Sequence, residues 1–193
     1  MDKKEFSSLE FHPLTLDRWQ DFEDLFGARG ACGGCWCMWW RIKRSEFERE
    51  KGEGNKRAMK ALVGSGRVTG ILAYEGKIPV GWCSVASKEE FPALSRSKIL
   101  GPIDSRPVWS VVCFFVDKNY RKRGLTVKLL KAVIEYVKER GGNIVEGYPI
   151  DPKWKPWPPV FSSPGLFAAF KRAGFKEVIR RSETRPIMWF EIE

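Results

Sequence analysis

The stretch VVCFFVDKNYRKRGLTVKLL (residues 111–130) carries the strongest structural signal in this chain. It opens with a continuous apolar run, as expected of a strand that is buried on both faces. A basic turn follows, with Arg121, Lys122 and Arg123 in a row, and then Gly124. The residues after the glycine are apolar every three or four positions, which predicts a helix. The local order is therefore strand, basic turn, glycine and helix.

Such a turn is suited to bind a diphosphate. The N-terminus of a helix presents backbone N–H groups that have no intrahelical acceptor, together with the positive end of the helix dipole. A glycine lets a ligand come close to the backbone, and neighbouring Arg and Lys side chains add full charge. The sequence contains neither a Walker loop nor a G-x-G-x-x-G fingerprint. The alternative is an exposed basic turn that only joins a strand to a helix.

The rest of the chain alternates predicted helices and strands, with no repeat and no linker that would divide it. Apolar periodicity, strand-like runs and glycine stops mark the segments. The predicted order is a helix at 14–26, a basic helix at 53–66, a hairpin at 67–87, a strand at 108–117, a helix from 126 to Gly141–Gly142, a strand at 143–150, a loop at 151–165, a helix at 165–175 and strands at 177–193. This pattern predicts one α/β domain over residues 1–193.

Composition narrows the class of protein. The 193 residues are 43% hydrophobic and 30% charged, which is typical of a globular chain in water. No apolar run approaches the roughly 18 residues that cross a bilayer, and the first residues lack the apolar core of a signal peptide. We therefore expect a cytoplasmic protein with free thiols and no membrane partner. The net charge of +10 favours a polyanionic partner: nucleic acid, an anionic surface or a phosphorylated cofactor.

The segment VDKNYRKRGLTVKLL resembles motif A of the GNAT acetyltransferase superfamily. In that motif a strand ends at V-x-P-x-x-[RQ]-x-x-G-x-[GA] and a helix follows. Val116, Arg121 and Gly124 fill their positions, whereas Lys118 stands in place of the proline and Thr126 in place of the last Gly or Ala. The later stretches NIVEGYP and LFAAFKRAGFKEV are similar to the next strand of the family and to its F-x-x-x-G-F helix with the strand after it.

This resemblance implies an α/β (α+β) fold with a mixed, mostly antiparallel sheet and helices on both faces. It implies an acetyl-CoA-dependent N-acetyltransferase that transfers the acetyl group directly to a primary amine of a small molecule or peptide. The diphosphate of acetyl-CoA would lie on the backbone N–H groups of the turn, and the pantetheine arm would run along the end of the strand, in a V-shaped opening beside it. The implied cofactor-binding residues are Phe115, Val116, Arg121, Lys122, Arg123, Gly124, Leu125 and Thr126.

The catalytic positions of the family are altered here. Many members place a tyrosine acid four residues before the glycine of the G-F pair, and this chain has Phe170 there. Some place a base glutamate on the central strand, where this chain has Ser110. Residues with suitable chemistry near the end of the next strand are Tyr148, Glu146, Asp151, Ser162 and Ser163. Of these we predict Tyr148 as the acid that protonates the thiolate and Glu146 as the base. The two alternate in phase, so both should face one side of the strand. The alternatives are that Tyr148 is only a half-buried aromatic residue of the strand and that Glu146 is only a solvated or salt-bridged carboxylate.

The stretch ACGGCWCMWWR (residues 31–41) is the other unusual feature. Its C-x-x-C-x-C pattern offers Cys32, Cys35 and Cys37 to zinc or an iron–sulfur cluster. A structural zinc site needs a fourth ligand, and the only histidine, His12, is distant in sequence. The other interpretation is that the thiols pack as ordinary core. No metal is expected, although Arg41 near Cys37 suggests a thiol with a lowered pKa.

In members of the family, the segment at this position commonly lines the acceptor pocket. Tryptophans suit an apolar, aromatic or cationic acceptor, and the loop at 151–165 would supply the facing wall. The predicted acceptor-binding residues are Trp36, Trp39, Trp154 and Trp157.

Two other functions remain open at this point. A GNAT domain that binds acyl-CoA without turnover would fit the replaced catalytic positions. A nucleic-acid-binding module would fit the excess of basic and aromatic residues, but no recognisable motif supports it and it ranks last. The acceptor amine and the oligomeric state stay undetermined by the sequence, a homodimer included.

Overall fold

The structure, a computed structural model, describes residue 6, residues 8–152 and residues 163–193. The strands are β1 (Glu10–Pro13), β2 (Ile71–Glu75), β3 (Ile78–Ser87), β4 (Trp109–Val116), β5 (Ile144–Gly147), β6 (Lys176–Arg180) and β7 (Pro186–Glu191). The α-helices are α1 (Trp19–Phe26), α2 (Arg44–Arg49), α3 (Glu53–Gly64), α4 (Pro92–Ser95), α5 (Leu125–Lys138) and α6 (Phe167–Arg172).

The seven strands form one sheet in the order β1-β2-β3-β4-β5-β7-β6. Neighbouring strands run antiparallel except for the β4–β5 pair, which is parallel. Helix α5 packs on one face, where its leucine and valine side chains meet β3 and β4. Helix α1 packs on the other face beside Trp82. The predicted fold class, a mixed and mostly antiparallel sheet with helices on both faces, is confirmed.

Helix α5 is set by its sequence at both ends. Its buried positions, Leu129, Val133 and Val137 among them, repeat every four residues and face the sheet. The residue before the helix is Gly124, in the left-handed region, and Gly141 lies three residues beyond the helix with a φ of +69°. Neither this helix nor any other helix of the described residues is long and apolar enough to cross a membrane.

Some elements were not predicted. Strand β1 is four residues long, ends in Pro13 and lies at the sheet edge, so it has too little alternation to be recognised. Helices α2 and α4 are also short, at six and four residues. The predicted helix at 14–26 begins as a 3₁₀ turn, Leu16–Arg18, before α1. Leu16, in this turn, is exposed.

The contact between β4 and β5 is short. The parallel register runs from Trp109 opposite Val145 to Val111 opposite Gly147 and ends there. On its other side β4 stays paired with β3 as far as Val116, with a register shift near Ser84. The last five residues of β4 therefore extend beyond β5, which produces the V-shaped opening beside the strand.

Gly147 is required by packing at the start of this opening. A Cβ atom added there would lie 2.0 Å from Cε1 of Phe170, whose ring is fully buried. Phe170 also meets Phe114 edge-on, with ring centroids 6.0 Å apart, so it fills the base of the opening. The glycine of NIVEGYP is thus explained by the phenylalanine that replaces the family tyrosine.

We predict that Gly147→Ala lowers the free energy of unfolding by roughly 1–3 kcal/mol, because the added methyl group overpacks a filled core. Gly64→Ala is the matched control, since a Cβ there meets only Leu16 at 3.9 Å, and we expect its effect to stay within about 1 kcal/mol. Urea unfolding measures both. Equal stability of Gly147→Ala and the parent chain would contradict this packing.

Candidate functional site

The turn before α5 has the geometry of an anion site. The first helical hydrogen bonds run from the N–H groups of Val127 and Lys128 to the carbonyl oxygen of Gly124, at 3.0 and 3.3 Å. The amides of Leu125 and Thr126 precede these bonds and therefore point out of the helix end. Gly124 has a φ of +83°, and a Cβ added to it meets nothing within 4 Å. The space above the turn is open to a ligand.

Two of the three cations brace the turn. The Nε atom of Arg121 donates to the carbonyl oxygen of Val116 at 3.0 Å. The guanidinium of Arg123 lies 3.7 Å from the Glu75 carboxylate and stacks on Phe6, 4.1 Å from the ring centroid. Their charges stay near the turn; the Arg123 side chain is largely covered, whereas Arg121 remains exposed while it holds the backbone. The basic cluster is thus partly structural, which its sequence did not reveal.

The free part of β4 leads from this turn into the opening. Phe115 packs on the α1 side, 5.3 Å from Phe26 between ring centroids, whereas Val116 packs on the α5 side. The N–H of Phe114 donates to the carbonyl oxygen of Ser163 at 2.6 Å. Phe115 and Val116 thus lie on opposite faces of β4, whose free backbone edge runs from the turn to the base of the V-shaped opening. One donor on that edge, the Phe114 N–H, is already hydrogen-bonded within the chain.

A buried polar network lies where β4 and β5 still pair. The Glu146 carboxylate accepts a hydrogen bond from Lys88 Nζ at 2.6 Å, one from Trp189 Nε1 at 2.6 Å and one from the Tyr148 hydroxyl. The Tyr148 hydroxyl is also 2.9 Å from Ser110 Oγ. Glu146 and Tyr148 point to the same side, as their spacing predicted, although Tyr148 lies one residue beyond the end of β5. The position of the missing family glutamate, Ser110, is directly opposite Glu146 in the register.

The order of donors in this network is fixed by valence. Tyr148 has one hydroxyl proton, which it donates to Glu146, so the Ser110 hydroxyl is the donor to the Tyr148 oxygen. Burial raises the pKa of Tyr148 well above its usual value, and the Glu146 charge and hydrogen bond raise it further. Tyr148 therefore stays protonated through the neutral range.

The network is enclosed in this conformation. Ser110 and Glu146 are 0% exposed and Tyr148 is 1% exposed. Phe91 and Leu94 belong to the apolar cluster that packs around Tyr148. A cavity of about 20 Å³ reaches Glu146, which is room for one water molecule. Its polar lining consists of Lys88, Asp104, Arg106, Glu146 and Trp189.

The predicted acceptor tryptophans separate into different environments. Trp36 is 3% exposed and packs against Phe22 and Phe26, so it is part of the core and offers little surface to a ligand. Trp39 is 42% exposed, and one face of its ring is covered by the Arg44 guanidinium, 3.9 Å from the centroid. Sequence spacing could not distinguish the two. Trp154 and Trp157 lie outside the described residues.

The cysteine stretch also differs from expectation. Burial raises the pKa of the Cys37 thiol well above its usual value, so the predicted lowering by Arg41 is wrong. The Cys37 sulfur accepts a hydrogen bond from Trp82 Nε1 at 3.0 Å. The Cys113 thiol, on β4, raises the pKa of Cys37 further. Within the part of the chain that the structure describes, no three His, Cys, Asp or Glu side chains are arranged to hold a metal ion.

Comparison with protein families gives a clear result. The model of the acetyltransferase (GNAT) family matches residues 36–147, which is more than half of the chain. The chain therefore belongs to the GNAT acetyltransferase family. No curated protein matches it at a significant level.

Solved structures show the same fold at low sequence identity. The PaiA N-acetyltransferase of Thermoplasma acidophilum, in complex with coenzyme A, has a TM-score of 0.54 at 14% identity, over 96% of this chain and 99% of that one. A GNAT-family acetyltransferase of Streptococcus agalactiae has a TM-score of 0.57 at 12% identity, over 97% and 98%. Arabidopsis thaliana NAA60, in complex with acetyl-CoA, has a TM-score of 0.50 at 15% identity, over 96% and 100%.

We predict that Tyr148→Phe flattens the fall in stability at alkaline pH. The unfolded phenol ionises near pH 10, whereas the raised pKa of the buried phenol keeps it protonated in the native state. The native state then binds more protons than the unfolded state above pH 10, so its stability falls by roughly 1.4 kcal/mol per pH unit for this group. Chemical denaturation from pH 8 to 11 measures the slope. Identical slopes in both proteins would contradict the assignment.

Proposed function

We propose that this protein is an acetyl-CoA-dependent N-acetyltransferase that passes the acetyl group directly to a primary amine. The observation that carries the proposal is the open turn at Gly124, where outward amides, the end of α5 and two braced arginines meet beside the free edge of β4. The family match and the coenzyme A and acetyl-CoA complexes among the structural neighbours support this proposal. We assign residues 1–193 to a single domain.

In this proposal the ligand follows the geometry of the opening. The diphosphate lies on the amides from Arg121 to Thr126, where the helix dipole and the nearby cations favour negative charge. The pantetheine arm runs along Phe115 and Val116 into the V. Its amide groups take up backbone partners on the β4 edge, including the Phe114 N–H that Ser163 now occupies. The thioester then lies near the base of the V.

The chemistry needs one nucleophile and a place for one proton. The amine nitrogen attacks the thioester carbonyl, the C–S bond breaks, and coenzyme A leaves as the thiolate while nitrogen loses a proton. Ser110, Tyr148 and Glu146 are aligned to accept that proton in sequence, since each donates to the next. The donor order therefore favours Tyr148 as a relay and Glu146 as the final base. It does not favour the acid role that the sequence suggested for Tyr148.

A second candidate function is an acyl-CoA-binding domain without turnover. Its support is the burial of the whole network beneath the apolar cluster around Phe91, together with the fully buried Phe170 at the usual acid position. Direct transfer depends mainly on positioning, so an enclosed base does not by itself prevent it. The two candidates share the cofactor site and differ in turnover.

We predict that acetyl-CoA binds the purified protein and that Gly124→Glu weakens binding by roughly tenfold or more, because a carboxylate then meets the diphosphate. Gly141→Glu is the matched control: it lies beyond the other end of α5, also has a positive φ, and its Cβ space is equally open. Isothermal titration calorimetry measures both variants. Equal loss in the two variants, or no binding to the parent chain, would refute the site.

We predict that free coenzyme A is released when amines are supplied together with acetyl-CoA. A thiol reagent detects the released coenzyme A. In Glu146→Gln we expect turnover to fall by roughly 100-fold with unchanged acetyl-CoA affinity, since general-base contributions are of this size. Glu191→Gln, which changes an exposed carboxylate, is the control. Acetyl-CoA binding without turnover for any amine would favour the binding domain.

A further inference from the structure

The buried Glu146 carboxylate has two kinds of neighbour. One is the Tyr148 hydroxyl, which leads to Ser110 on β4 and gives Glu146 its proton in the proposed acetyl transfer. The other is the cavity of about 20 Å³, which opens toward solvent. Because Glu146 is 0% exposed, it cannot pass its proton directly to bulk water. A base must lose that proton before it can act again, so an exit route is needed.

The cavity lining holds one further proton acceptor. Its polar side chains, apart from Glu146, are those of Lys88, Asp104, Arg106 and Trp189. An ammonium, a guanidinium and an indole N–H only donate hydrogen bonds and have no acceptor site. Among the described residues that line the cavity, Asp104 is therefore the one side chain besides Glu146 that can take up a proton.

Both carboxylates have an acceptor site left for a water molecule. Glu146 accepts the three hydrogen bonds described above. Asp104 accepts three from Arg106: from the backbone N–H at 2.9 Å, from Nε at 3.0 Å and from Nη2 at 2.9 Å. A carboxylate has about four acceptor sites. A polar cavity of this volume holds one water molecule, so a single water can join the two carboxylates.

The loop that carries Asp104 is fastened to the sheet by two arginines. Arg181 donates to the carbonyl oxygen of Gly101 at 2.9 Å. Arg106 stacks on the ring of Trp189, 4.4 Å from the centroid, and its hydrogen bonds lower the pKa of Asp104. Asp104 is therefore held as an ionised carboxylate. Its side chain is 38% exposed, so it connects the cavity to solvent.

We propose that Asp104 receives, through one water molecule in this cavity, the proton that Glu146 gains in each acetyl transfer. The inference rests on the proposed function. The carboxyl O–H of Glu146 turns toward the cavity and gives its proton to the water oxygen, while the water gives one of its own protons to Asp104. Asp104 then releases that proton to solvent. The water molecule and the ionised Glu146 are both restored.

This route predicts a burst of product when Asp104 is replaced. Glu146 is ionised at the start, so the first acetyl transfer needs no exit, whereas every later transfer does. In Asp104→Asn, whose amide cannot take up a proton, we expect the first turnover at the parent rate. We expect the steady-state rate to fall by roughly tenfold, because the proton must leave by slower routes. Rapid-mixing measurement of free coenzyme A, with an amine that the parent chain acetylates, records both phases.

Two comparisons separate a proton exit from a structural role. In Asp104→Ala, formate is a small carboxylate that fits the space left by the side chain, and it should restore most of the steady-state rate. Chloride at the same ionic strength should not. Glu191→Ala is the matched control, because Glu191 is also exposed and lies 3.3 Å from the Arg106 guanidinium but is not part of the cavity lining. It should keep both phases of the parent chain.

Three outcomes would overturn the proposal. They are a first turnover slowed as much as the steady state, an equal loss in Glu191→Ala, and an Asp104→Asn steady-state rate equal to that of the parent. If Asp104→Asn disturbs the loop, Asp104→Ala with and without formate decides the question. Turnover by the parent chain reports the proposed function separately. Its absence with every amine would refute that function and this inference together, whereas parent turnover without a burst in Asp104→Asn refutes this inference alone.

Discussion

The short parallel pairing between β4 and β5 is the constraint on which the rest of the structure depends. Two parallel strands stay in register only while their backbones remain alongside, and here the register ends at Val111 opposite Gly147. Phe170 packs against Gly147 and holds the strands apart beyond that point. The free end of β4, the turn at Gly124 and the start of α5 then form one side of an opening. Beyond the paired region, residues of β4 and β5 are no longer cross-strand neighbours and instead lie on the two sides of a cleft.

The same pairing explains why the polar network is buried. Glu146 lies in the paired part of β5, opposite Ser110, where both faces of the sheet are covered. A carboxylate there needs donors, and Lys88, Tyr148 and Trp189 supply them. Removal of any donor would leave a buried charge poorly paired, so the network contributes to folding whatever else it does. Structural and chemical demands therefore coincide at one side chain.

The fold and the turn could be predicted from sequence because both follow from local patterns: an apolar strand, a glycine at a positive φ and a helix with clear periodicity. The site side chains were harder, because their surroundings come from distant segments. Trp36 and Trp39 have similar neighbours in sequence, yet only Trp39 reaches the surface. The pKa of Cys37 was predicted with the wrong sign because a charge nearby in sequence was visible and burial was not. Alternation alone correctly placed Glu146 and Tyr148 on one face.

The bond from Phe114 N–H to the Ser163 carbonyl has a thermodynamic consequence. A ligand amide whose carbonyl oxygen accepts from the Phe114 N–H replaces one hydrogen bond at this edge with another. The number of hydrogen bonds at the edge therefore does not change. Such an exchange adds little enthalpy, so discrimination between a full cofactor and a fragment that lacks the diphosphate must come from the charged end. In the proposed binding mode, the β4 edge then selects ligands by shape and the turn at Gly124 supplies most of the affinity.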